Sequence, residues 1–104
     1  MVRSFSDASA VVRLTLGNKY PQIKRAFIFG SFADESQVDN SDVDILVELD
    51  SPMGLQYIAM IQDLEDMLGT SVDIITLKQA EKLDTKFGYK ILGKARMIYE
   101  RATN

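Results

Sequence analysis

The sequence predicts a small mixed α/β (α+β) fold, in which a mixed β-sheet of three to four strands is flanked by helices. Three observations carry that expectation. Apolar patterns of helical period and of strand period alternate along the chain, which suits neither a helix bundle nor an all-β sandwich. The stretch from Asp42 to Leu49 alternates with a strict period of two. The length of 104 residues fits a single domain over 1–104, and a chain of that size buries roughly 65% of its unfolded surface.

Taken in order, Ser6 is a plausible N-cap for a helix over 7–17, with Val11, Val12, Leu14 and Leu16 as a partial apolar stripe. Gly17-Asn18 stops it, and Pro21 keeps the chain from resuming as helix. Ala26 to Phe29 is a continuous apolar run ending at Gly30, which reads as a buried strand. Residues 34–41 are polar and loop-like. In the next strand Val43, Ile45, Val47 and Leu49 face one way, and Asp42, Asp44, Leu46 and Glu48 the other. Ser51-Pro52 ends it. A second helix carries Leu55, Ile58, Ile61, Leu64 and Leu68 on one stripe and closes at Gly69. Val72 to Leu77 is a third β-rich run. Leu83, Phe87 and Ile91 suggest a third helix that Gly93 ends, while Ala95 to Tyr99 suits either a last strand or a helical turn. Phe27, Phe29 and Phe87 are expected in the core.

The composition excludes several chemistries. There is no Cys and no His, so thiolate nucleophiles, a Ser-His-Asp triad and nitrogen- or sulfur-ligated zinc are ruled out. What remains is carboxylate, hydroxyl, Lys, Arg and Tyr chemistry, or a hard cation held by oxygen. The net charge of −3 hides a sharper pattern: no Lys or Arg lies between Arg25 and Lys78, whereas that interval holds eleven of the fifteen acids. Phosphates need cations facing them, so such a middle is no general nucleic-acid surface. Its acids either form a solvated face or converge in part on a metal. The opening MVRSFSD lacks the apolar stretch of a signal peptide and no membrane span is evident, which predicts a cytoplasmic protein.

Two features stand out against that background. Asp42 and Asp44 leave the same face of one strand, about 6.6–6.8 Å apart along it. Such a pair repels itself unless a divalent ion lies between, and Asp73 in Val72-Asp73-Ile74-Ile75 could add a third carboxylate if the strands are neighbours. Either motif alone is common surface decoration. The second feature is Gly30-Ser31, a turn that lets a ligand approach the backbone and suits an anion. If the two strands are adjacent, triphosphate and metal share one site.

Together, Phe29-Gly30-Ser31-Phe32-Ala33 and Ser41-Asp42-Val43-Asp44-Ile45-Leu46-Val47-Glu48 resemble the signature of the minimal nucleotidyltransferases, members of the polymerase-β-like nucleotidyltransferase superfamily. Val72-Asp73-Ile74-Ile75 is similar to that family's third-carboxylate strand, and the resemblance extends to Ile98-Tyr99-Glu100. It implies transfer of a nucleoside monophosphate to an acceptor hydroxyl with release of pyrophosphate. Gly30 and Ser31 would then hold the triphosphate of an ATP co-substrate. Asp42, Asp44 and Asp73 would be the catalytic and metal-binding carboxylates for two Mg²⁺ ions. Stand-alone domains of this length resemble the antitoxin half of HEPN–MNT pairs, which AMPylates a tyrosine of a HEPN ribonuclease toxin encoded by a neighbouring gene. The resemblance implies that partner, and no direct nucleic-acid or membrane contact.

The chain departs from the family in one place. Many members read Gly-Ser-x-Ala-Arg-Gly, whereas here Ala33 is followed by Asp34-Glu35. The missing positive charge would come from Lys78, Lys82, Lys86 or the partner. Two alternatives therefore stand beside catalysis: a module that neutralises the toxin by binding alone, and a nucleotide-sensing regulatory domain. Lys82, Lys86, Lys90 and Lys94, spaced by four, read as one solvated helix face, and Tyr57 or Tyr89 could stack on a base.

Overall fold

A computed structural model describes residues 2–38, 41–88 and 90–102. In chain order the elements are α1 (Phe5–Lys19), β1 (Ile23–Phe29), α2 (Gly30–Ala33), β2 (Val43–Leu49), α3 (Gln56–Leu68), β3 (Val72–Thr76), α4 (Leu77–Phe87), α5 (Ile91–Lys94) and β4 (Arg96–Glu100). The sheet order is β3-β2-β1-β4. Strand β1 runs antiparallel to both β2 and β4, whereas β2 and β3 are parallel, the direction a crossover through α3 allows. This is the mixed α/β layering the patterns predict, and Ala95 to Tyr99 resolves largely as strand.

One face of the sheet carries the core. Ala26, Ile28, Val43, Ile45, Val47, Val72 and Ile98 pack there with Val12 and Leu16 of α1 and Met60, Leu64 and Leu68 of α3. Strand β1 is longer than its apolar run and alternates in burial, so Phe27 and Phe29 lie half-buried on the opposite face rather than in the core. Lys24 and Arg25 extend it because Arg25 is satisfied from both neighbouring strands: its Nη1 donates to Glu48 at 2.6 Å and its Nε to Glu100 at 2.8 Å. Helix α4 packs on β2 and β3, and Leu46 and Ala80 are buried apart from the main cluster.

Several boundaries differ from the sequence expectation. Helix α1 is capped by Ser4, not Ser6, through a 3.1 Å bond from Asp7 N to Ser4 Oγ. Gly17 lies inside the last turn and does not end it; the chain leaves the helix at Tyr20, whose buried hydroxyl donates to Asp63 of α3. The buried stripe of α3 is rotated from the predicted one. Met60, Leu64 and Leu68 face inward, Leu55 and Ile58 outward, and Met53 from the preceding loop fills the core end. The predicted third helix is two. Gly88, left-handed at φ 71°, ends α4, and α5 restarts with Gly93 inside it. Lys82 and Lys86 therefore belong to α4, Lys90 precedes α5 and Lys94 ends it, so they form no single ladder. Phe87 is 57% exposed, with the Lys86 ammonium over its ring. Among the described residues, no helix is long and apolar enough to cross a membrane.

Candidate active site

The site grows out of strand register. Phe29 of β1 pairs with Asp44 of β2, and Asp44 with Asp73 of β3, so the three stand abreast in one row on the face away from the core. Asp42 lies just before β2 and is exposed, as is Asp73. Asp44, one strand in from the edge, is half-buried. Its pKa is raised from 3.8 to about 6, first by burial, then by the charges of Asp73 and Asp42 and a hydrogen bond shared with Asp73. The adjacency that the sequence argument required is therefore present, between β1 and β2 and between β2 and β3.

Gly30 follows Phe29 immediately. Its backbone has φ 71°, and a Cβ there would lie 2.1 Å from Asp44 Oδ2. Only glycine lets the turn close on that carboxylate. The turn leads at once into α2, whose Phe32 and Ala33 are buried in the main core. Ser31 is half-buried in that first turn, and its carbonyl accepts from Ser36 N at 2.9 Å. Arg96, which belongs to no motif, closes the far end of α2. Its Nη1 donates to the Ala33 carbonyl at 2.9 Å, and its guanidinium lies 3.6 Å from the Phe5 ring centroid. Beyond α2, Glu35 holds a left-handed backbone at φ 60°.

The donor set fits a hard divalent cation. Every donor is a carboxylate oxygen, and Asp44 carries a charge that two neighbouring anions disfavour and a cation would relieve. Among the described residues, no three or more His, Cys, Asp or Glu side chains are gathered closely enough to hold a metal ion. The carboxylates form an open rim, which suits an ion that takes its remaining ligands from water and phosphate.

The other candidates fall elsewhere. Lys78, Lys82 and Lys86 line a hollow along α4 together with Glu81 and Thr85. Tyr57 is no free stacking platform: it packs against the core, and its hydroxyl donates to the Ile74 carbonyl at 3.3 Å. Tyr89 lies outside the described residues.

The profile of the family described as polymerase beta, nucleotidyltransferase matches residues 15–104. A protein of Methanocaldococcus jannaschii, provisionally named a protein adenylyltransferase, is 42% identical over 83 residues, which cover 74% of this chain and 82% of the relative. Among solved structures, a chain of a toxin–antitoxin complex with AMP-PNP superposes with a TM-score of 0.71 at 22% identity, covering 89% of this chain and 73% of that one. A chain from the complex of tri-AMPylated Shewanella oneidensis HEPN toxin with MNT antitoxin gives 0.66 at 18% identity, covering 93% and 73%. At those identities the likeness to the solved structures is one of fold. The sequence matches go further, and by them the chain belongs to the polymerase-β nucleotidyltransferase family.

Proposed function

We propose that the chain is a single minimal nucleotidyltransferase domain, cytoplasmic, that transfers AMP from ATP to a tyrosine hydroxyl of a HEPN ribonuclease toxin encoded by a neighbouring gene and so silences it. The observation that carries this reading is the meeting of Gly30 with Asp44, which brings an anion-compatible turn against the carboxylate row. Support for a protein acceptor comes from the relative provisionally named a protein adenylyltransferase. Support for the toxin comes from the fold shared with a chain of the AMPylated HEPN–MNT complex.

In this reading Gly30 and Ser31 hold the triphosphate, Asp42 and Asp44 hold Mg²⁺, and Asp73 is the third metal-binding carboxylate, beside the acceptor. The acceptor oxygen attacks the α-phosphorus, the bond to the bridging oxygen of the pyrophosphate breaks, and pyrophosphate leaves. Asp73 takes the hydroxyl proton. Mg²⁺, two ions in this family's scheme, supplies charge neutralisation on the phosphates. The rest of the acceleration comes from positioning.

The test is incubation with labelled ATP, Mg²⁺ and the neighbouring gene product. Asp42→Asn combined with Asp44→Asn should abolish label transfer while the fold persists, because both side chains lie off the core face. Undiminished transfer by the double variant overturns the assignment. Asp34-Glu35 in place of the family's basic residue favours a second reading, neutralisation by binding alone. That reading requires the double variant still to protect cells from the toxin.

A further inference from the structure

The nucleotide turn lies in a stretch without a single cation from residue 26 to 77, yet a triphosphate needs positive charge beside it. The fold brings one back. Helix α5 packs against α2, and its place is fixed from α4, where the Asp84 carboxylate accepts from Ile91 N at 2.9 Å and Leu92 N at 3.0 Å. Lys94, at the end of α5, is exposed. The carboxyl of Asp34, the first residue beyond α2, is held below its usual range chiefly by the Ser36 hydrogen bonds and to a smaller degree by the Lys94 charge, although among the described residues the two close no salt bridge.

We infer that Lys94 is the cation that binds the triphosphate held on the Gly30-Ser31 turn, and that Asp34 competes with the nucleotide for its ammonium. This rests on the nucleotidyltransferase reading above and adds to it a residue from the far end of the chain. Two other groups of cations near this end of the fold are placed differently. The guanidinium of Arg96 is engaged by the Ala33 carbonyl and the Phe5 ring. Lys82 and Lys86 line a hollow whose walls all belong to α4, and Lys78 also borders a second hollow beside the end of β2. Asp34 can release Lys94 without being left unpaired, because Ser36 N donates to its Oδ1 at 3.0 Å and the Ser36 hydroxyl donates to the same oxygen. A lysine suits such an exchange, since its ammonium is a point charge on a four-carbon flexible stem.

Titrating a fluorescent ATP analogue with Mg²⁺ into the full chain at low ionic strength tests this. Lys94→Ala should weaken binding about five- to tenfold, the loss of one charge-assisted contact, while Lys94→Arg and Lys82→Ala stay within about twofold. Asp34→Ala should tighten binding severalfold in the parent chain, and this gain should largely vanish in the Lys94→Ala background. Equal binding by Lys94→Ala and the parent, an equal loss in Lys82→Ala, or the same Asp34→Ala gain in both backgrounds overturns the assignment of Lys94 and leaves the nucleotidyltransferase reading standing. A parent chain that binds no nucleotide overturns both.

Discussion

Replacing Asp44 by Asn should make the metal-free protein more stable, although it removes the central residue of the proposed site. The native fold holds this carboxyl at a pKa of about 6 against an ordinary 3.8. Between those values the folded chain binds more protons than the unfolded one, so stability falls as pH rises through the window and the penalty is complete above it. For a fully desolvated group the gap is worth about 3 kcal/mol. Asp44 is only half-buried, and solvent screening reduces this to roughly 1–2 kcal/mol. Asn keeps the shape and cannot ionise. In EDTA at pH 8 it should therefore raise Tm by roughly 4–12 °C for a chain of this size. At pH 4 the gain should shrink to about a fifth, because Asp44 is then protonated in the folded state and about half protonated in the unfolded one. Thermal unfolding followed by circular dichroism at both pH values reads this directly. A loss of stability at pH 8, or the same gain at pH 4, refutes the claim that the fold disfavours this charge. Added Mg²⁺ should stabilise the parent chain more than the variant, since only the parent presents the full carboxylate rim.

Two further expectations follow from the backbone of the same corner. Gly30→Ala puts a methyl group 2.1 Å from Asp44 Oδ2 at a left-handed φ; it should cost about 1–3 kcal/mol and abolish transfer by displacing that carboxylate, and unchanged unfolding with unchanged nucleotide affinity would speak against the close approach. Glu35→Gly should do the reverse, raising the free energy of unfolding read from a denaturant titration by roughly 0.5–1 kcal/mol, because the left-handed φ of 60° at Glu35 is a strained one for any residue with a Cβ; a lower midpoint would mean that the glutamate side chain does more than endure the turn.

How far the sequence reveals this molecule depends on whether a signal is local. Strand β2 is legible residue by residue because period-two alternation needs only its own side chains, and Gly69 marks the end of α3 for the same reason. The row of Phe29, Asp44 and Asp73 is not local. The residues that form it can be suspected, but their register is set by pairing between β1, β2 and β3. Phe27 and Phe29 mislead because an unbroken apolar run hides which side chains face the core. The stripe on α3 is misread because Leu55 and Ile58 fit a helical period as well as Met53 and Met60 do, and only the packed neighbours choose between them. Gly93 is misread as the stop because the Leu83, Phe87 and Ile91 spacing runs straight through Gly88; the chain breaks at Gly88, and the carboxylate of Asp84 caps the helix that restarts beyond it. Arg96 and Lys94 carry no motif at all, since what they serve lies some sixty residues earlier in the sequence.

The placement of the carboxylates explains how the chain tolerates them. The residues that hold the fold together, from Val12 to Ile98, lie on one face of the sheet, and Asp44 and Asp73 lie on the other. Charge repulsion within the row is therefore set against a core that it does not touch, so the site can be strained while the domain stays folded. The turn that faces Asp44 is secured from both ends: Phe32 and Ala33 are embedded in that core, and Arg96 ties the last carbonyl of α2 to β4. A turn held in this way cannot drift from the carboxylates when the strain is relieved. Binding a cation or a nucleotide there should change the charges far more than the backbone. The segment after α2, where Asp34, Glu35 and Ser36 carry the left-handed kink and the shared hydrogen bonds, has both the exposure and the spare partners to rearrange.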